Sequence, residues 1–140
     1  MSARLWLGGV ALAAVAFSAG YWVGQLGSSR NYIGQASALS GIALAANAKI
    51  GVTTYQSENG QFPSSNAQAR LPAPEQLTDR YVSSIAIGPQ GVITVTYKNE
   101  QPLLGRTLVI TPTVIEGGYS ITWSCRGGTL PVELRPETCR

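Results

Sequence analysis

Hydrophobic residues follow two different rules along this chain. From Leu5 to Leu26 they run without a charge, and from Tyr81 onward they alternate with polar residues. The first stretch is 22 residues long. As a helix it would extend roughly 33 Å, enough to cross the core of a bilayer. Its large apolar members include Leu5, Trp6, Val10, Leu12, Val15, Phe17, Tyr21, Trp22 and Leu26. Trp6 at one end and Tyr21 and Trp22 toward the other suit lipid–water interfaces, and Arg4 favours a cytoplasmic start. The pattern predicts a membrane anchor, with the rest of the chain outside the inner membrane. Two alternatives stay open. Ser18-Ala19-Gly20 offers small residues where a signal peptide is cut, although the apolar run continues past them. A buried core helix is the other, although this run is apolar on every side.

Gly27-Ser28-Ser29 is expected to loosen or bend the helix, and helical pattern resumes at Asn31. Leu39, Ile42, Ala46, Ile50 and Thr53 form one modest stripe at helical spacing. With Gly34, Gly41, Gly51 and many alanines, this is a thin helix. It is suited to packing on a sheet, to bundling with copies of itself, or to both on opposite faces. Asn59-Gly60 and Pro63 end it. A loop over 58–80 follows, tied down by Phe62, Leu71 and Leu77.

The period then changes to two. Strands are predicted at Tyr81–Ile87, Val92–Lys98, Thr107–Val114, weakened at Pro112, and Tyr119–Cys125, with Gly88-Pro89-Gln90-Gly91 and Glu116-Gly117-Gly118 as turns. Short strands with short turns give an antiparallel meander with one apolar face. The helix after Asn31 is the element available to cover it. Trp123 is expected in the core. The fold class is therefore α+β, a long N-terminal helix on a four-stranded antiparallel sheet. Residues 1–30 form a membrane and assembly helix and 31–140 a head: helix 31–57, loop 58–80, sheet 81–125 and a closed loop 125–139.

Composition narrows the chemistry. The chain has no histidine, which removes the usual general base and the commonest metal ligand. Its seven carboxylates, Glu58, Glu75, Asp79, Glu100, Glu116, Glu133 and Glu137, are scattered singly. No nucleophile elbow or phosphate loop is present. An enzyme, a cofactor and a metal site are not expected. Net charge is +3, and past Arg4 nine basic residues face seven acidic ones. Nucleic acid is thus a weak partner, with Arg126, Arg135 and Arg140 the candidates for surface binding. Cys125 and Cys139 are the only cysteines. In an exported chain a pair reads as a disulfide. It would close a Gly- and Pro-rich loop, contributing about 3 kcal/mol on a chain-entropy estimate. Two free thiols, or a metal site lacking its other ligands, are the alternatives.

From about Tyr32 to Arg140 the chain resembles type IV pilins of the short-leader class. The resemblance lies in the order of several phrases: Ala48-Lys49-Ile50-Gly51-Val52, Glu58-Asn59-Gly60-Gln61-Phe62-Pro63, Tyr81-Val82-Ser83-Ser84-Ile85, Gly91-Val92-Ile93-Thr94-Val95-Thr96-Tyr97, Leu108-Val109-Ile110-Thr111-Pro112, Ile121-Thr122-Trp123-Ser124-Cys125 and Leu134-Arg135-Pro136-Glu137-Thr138-Cys139-Arg140. It implies the pilin fold and a disulfide loop on a fibre surface. It also implies other pilin subunits, the inner membrane and the pilus assembly machinery as partners. The expected function is a structural subunit of a type IV pilus, serving attachment and adhesion, motility or DNA uptake. The alternative is a tethered pilin-like accessory protein; a secretion-system pseudopilin is disfavoured by the disulfide loop. The family's leader ends in glycine, followed by phenylalanine and, four residues later, glutamate. Here those places hold Leu5, Trp6 and Val10, so the cleavage and methylation signal is absent as written.

Overall fold

The structure, a computed structural model, describes residues 7–99, 101–117 and 120–140, with the backbone alone for 7–31. One long helix, α1 (Leu7–Asn59), precedes four strands: β1 (Val82–Ile87), β2 (Ile93–Tyr97), β3 (Thr107–Val114) and β4 (Ile121–Gly127). Two compact units, Met1–Ile33 and Gly34–Arg140, divide the chain. In the first, Gly27 to Ser29, expected to loosen the helix, are helical. The expected anchor from Leu5 to Leu26 lies outside the residues whose side chains are described. Among the described residues no helix is long and apolar enough to cross a membrane.

The second unit is the head, and its fold is α+β as expected. The sheet order is β1-β2-β3-β4, every neighbour antiparallel. Alternation sets which side chains turn inward: Ile85 and Ile87 on β1, Ile93, Val95 and Tyr97 on β2, and Leu108 and Ile110 on β3 are all buried, and a register shift between Val82 and Ser84 brings Val82 to the same side. Pro112 does not break β3. Pairing with β2 ends at Ile93↔Ile110, so Pro112 lies past the end of β2 and pairs with Trp123 of β4 alone. A residue without an N–H is tolerated where no ladder bond is asked of it.

The head's part of α1 covers the sheet through small residues: Gly34, Ser37, Ala38, Gly41, Ala45, Ala48 and Val52 are buried. Their size permits a close approach. A Cβ at Gly41 would lie 2.5 Å from the Tyr97 hydroxyl and 2.8 Å from its ring. That hydroxyl donates to the carbonyl of Ala38 at 2.7 Å. The stripe read from the sequence is a different one. Leu39, Ala46, Ile50 and Thr53 are exposed, and only Ile42 reaches the core. The stripe was drawn from the larger side chains, whereas the space over the sheet admits only the smallest.

The helix ends where expected. Gly60, at φ +71°, takes the left-handed conformation that favours glycine, and its N–H donates to Gln56 O at 2.8 Å. Phe62, Leu71 and Leu77 then pin the loop to the core. Within it, buried Asn66 dresses the open edge of β1. Its side-chain amide donates to Ile85 O at 2.9 Å and Pro72 O at 3.0 Å, and its oxygen accepts from Ile87 N–H at 2.7 Å. An edge strand's free backbone groups are thereby satisfied within the chain.

Candidate functional site

Leu5 to Leu26, expected to form the membrane and assembly helix, lie outside the residues whose side chains are described; within the head, two surfaces bear on function, the outward side of α1 and the segment after β4. No group of acidic, cysteine or histidine side chains able to hold a metal ion occurs among the described residues. Glu75 and Asp79, four apart in sequence, do not form a pair for acid–base work. Glu75 is exposed, whereas Asp79 accepts the Tyr81 and Val82 N–H groups at 2.7 Å each and so shapes the start of β1. The perturbed acid of the head is Tyr97, and it is a packing residue. Burial, with Asp79 adding to it and Arg135 opposing, raises its hydroxyl well above the ordinary phenol range.

The outward helical surface carries Ala36, Leu39, Ala43, Ala46, Ile50, Thr53, Thr54 and Ser57, all exposed and none charged. Leu39 is 49% exposed and Ile50 64%. Lys49, the one cation between Gly34 and Ser57, does not interrupt this surface. Its ammonium is held 5.5 Å from the ring centre of Trp123. Trp123 is half-buried at the rim of the core, less enclosed than the sequence suggested. β4 is the edge strand opposite β1, and its inward residues Ile121, Trp123 and Cys125 are only partly covered.

The segment after β4 is held covalently and by arginine side chains. Cys125 and Cys139 form the expected disulfide, with Cα atoms 4.8 Å apart. Short 3-10 turns at Val132–Leu134 and Glu137–Cys139 fill the loop. Arg135, a candidate for surface binding, is instead buried, at 7% exposure. Its guanidinium donates to three backbone carbonyls of the loop it closes: Leu130 at 2.9 Å, Gly128 at 3.0 Å, and Arg126. A Gly-rich stretch without regular structure leaves carbonyls unpaired, and a planar fork of N–H donors satisfies several at once. Arg126 and Arg140 are exposed as expected, so of the three candidates two remain at the surface. Gln35 of α1 ties the loop to the helix, donating to Glu133 O at 2.8 Å.

A helix laid by its smallest residues on a four-stranded meander, followed by a disulfide-closed C-terminal loop, defines a structural head with an uncharged helical side left open. The Pilin family of bacterial filament proteins matches residues 34–140, and the chain belongs to that family. It is also similar to the fimbrial protein EcpC of Eikenella corrodens, with 29% identity over 117 residues, covering 79% of this chain and 73% of that protein. Family membership makes this a pilus structural subunit that assembles with other pilin subunits in an extracellular fibre.

Proposed function

We propose that this chain is a subunit of a type IV pilus, in which the outward side of α1 packs against the helices of neighbouring copies and the disulfide loop faces outward for surface attachment. The observation that carries this reading is the uncharged surface from Ala36 to Ser57, on which Leu39 and Ile50 are both exposed. Large apolar side chains at helical spacing on an otherwise complete domain suit a partner helix. In this reading Leu5 to Leu26 holds the chain in the inner membrane before assembly, where the assembly machinery meets it. Adhesion is the role favoured for the fibre. DNA uptake has less support, because Arg135 is engaged inside the loop and only Arg126 and Arg140 remain to face a phosphate backbone.

A second reading, an inner-membrane-tethered accessory protein that binds pilins, is favoured by Leu5 and Val10 in the places of the family's glycine and glutamate. An uncut chain keeps Arg4, and drawing that charge through hydrocarbon costs about 3 kcal/mol on insertion scales. Shearing fibres from cells and weighing the protein in sheared and membrane fractions separates the two. A fibre subunit is abundant in the sheared fraction, and its intact mass and N-terminal sequence report any cleavage. Protein confined to the membrane fraction at its full mass supports the tethered form and defeats the first reading.

A further inference from the structure

The disulfide loop has a second set of fastenings, and none of them depends on sulfur. Leu130 and Leu134 are buried, the Leu130 N–H donates to Thr107 O at 2.8 Å, and a Cβ on Gly34 would lie 2.9 Å from the Leu134 side chain. Arg135 spends its guanidinium on the carbonyls of Arg126, Gly128 and Leu130. Arg126 belongs to β4, so this side chain ties the returning arm of the loop to the strand from which the loop left. Hydrogen bonds from a charged donor are among the strong ones. Beyond Arg135, the Cys139 N–H donates to Pro136 O at 2.9 Å, and Arg140 donates through Nε to Arg135 O at 3.0 Å. Cys139 therefore stands between two fastened points, and Cys125 is the residue next to Arg126. Both cysteines are flanked by contacts that owe nothing to the bond between them.

The two sulfurs differ in how they can be approached. Cys139 is 1% exposed, whereas Cys125, on the edge strand β4, is half-buried. A disulfide forms when a thiolate attacks an existing disulfide and a second thiolate resolves the mixed disulfide, and access governs which sulfur takes part first. We propose that the loop closes around Arg135 before its cysteines are joined, and that Cys125 is the sulfur that meets the oxidant, a disulfide-bearing protein or small molecule. The Cys125 thiol gives up its proton, and its thiolate attacks one sulfur of the oxidant, whose other sulfur leaves as a thiolate. Cys139, already in place, gives up its proton and attacks Cys125 Sγ. The Cys125–Cys139 bond forms and the second oxidant sulfur leaves. The oxidant's disulfide is reduced to two thiols, which take up the two protons, while the two cysteines are oxidised. In the reverse direction, a thiol that attacks Cys125 displaces a Cys139 thiolate that Arg135 keeps beside it, so the bridge reseals.

The experiment uses the full-length protein in detergent micelles, reduced and then freed of reductant. Brief alkylation with iodoacetamide, read by peptide mass mapping, labels Cys125 about tenfold or more faster than Cys139, because the buried thiol reacts only when the loop opens. In denaturant the difference disappears. With glutathione disulfide as the oxidant, Cys139→Ser traps the mixed disulfide at Cys125 faster than Cys125→Ser traps it at Cys139. Arg135→Gln raises the labelling of Cys139 and shifts the glutathione equilibrium away from the bridge, each by about tenfold, the effect of losing one charge-assisted hydrogen bond. Arg126→Gln, which keeps the carbonyl that Arg135 holds, changes neither. Circular dichroism reports whether each reduced protein keeps its sheet. Wild-type thiols that label at equal rates without denaturant, with or without the sheet, overturn the closing of the loop before the bridge. This comparison needs no variant. Faster labelling of Cys139 than of Cys125 overturns the choice of Cys125. Unchanged labelling of Cys139 in Arg135→Gln overturns the part given to Arg135.

Discussion

Tyr97 illustrates how one residue serves packing and polarity together. Its ring fills the space under Gly41, and its hydroxyl donates to a helix carbonyl instead of reaching water. Burial raises the pKa of this hydroxyl, so the folded head holds the neutral phenol more tightly than the unfolded chain does. The sign follows. This stability is fully present below the unfolded phenol value of about 10 and declines as pH rises through it toward the folded value. Tyr97→Phe keeps the ring and loses the hydrogen bond, lowering stability at neutral pH by about 1 kcal/mol. Chemical denaturation from pH 7 to 11 is expected to show a fall above pH 10 that is smaller in the variant. Equal falls in both proteins would assign the alkaline loss to other groups. Arg135 is the counterexample at this scale. Buried arginine is rare enough that the sequence pointed it at the surface. Its signal was indirect: a Gly-rich loop whose carbonyls had no strand or helix to receive them.

Among the elements, the strands were legible and the helix face was not, for one reason. Strand residues bury by alternation, and Ile93, Val95 and Tyr97 or Ile85 and Ile87 are large enough for the pattern to stand out. The sheet-facing side of α1 is built from Gly34, Ser37, Ala38, Gly41, Ala45 and Ala48, which carry little hydrophobic signal. A periodicity search is therefore drawn to Leu39 and Ile50 on the opposite side. Tyr119, where β4 was expected to begin, lies outside the described residues, and at its other end β4 runs two residues further than expected, to Gly127, which pairs with Val109. Two substitutions separate the two helix faces. Gly41→Leu drives a side chain into Tyr97 and is expected to destabilise the head by about 1–3 kcal/mol. Ile50→Ser, on the open side, is expected to leave stability within about 0.5 kcal/mol while lowering incorporation into fibres. Thermal melts and sheared-fibre yields read the two effects separately. A large stability loss for Ile50→Ser would place that residue in the core instead.

At the scale of the whole molecule, the second compact unit keeps its own core. Among the described residues, every buried apolar residue of the cluster lies between Ala38 and Leu134. A truncated protein starting at Ser28 is therefore expected to be a soluble, cooperatively folding monomer. Reducing its disulfide removes a constraint worth about 3 kcal/mol on the loop-entropy estimate, a drop of about 10–20 °C in Tm for a domain of this size. Scanning calorimetry with and without reductant measures it, and an unstructured product with the bridge intact would contradict the independence of the head. A milder drop would point to the Arg135 contacts, which hold the same loop without the sulfur bond.

The tight seat of α1 on the sheet also works as a rule of exclusion. Turning the helix about its axis to hide Leu39 and Ile50 would bring large side chains to the place where even one added carbon at Gly41 meets Tyr97. The head thus has no alternative packing in which it shelters its own oily stripe. Whatever covers that stripe must come from outside the domain, so the appetite for neighbours is written into the narrowest gap of the monomer.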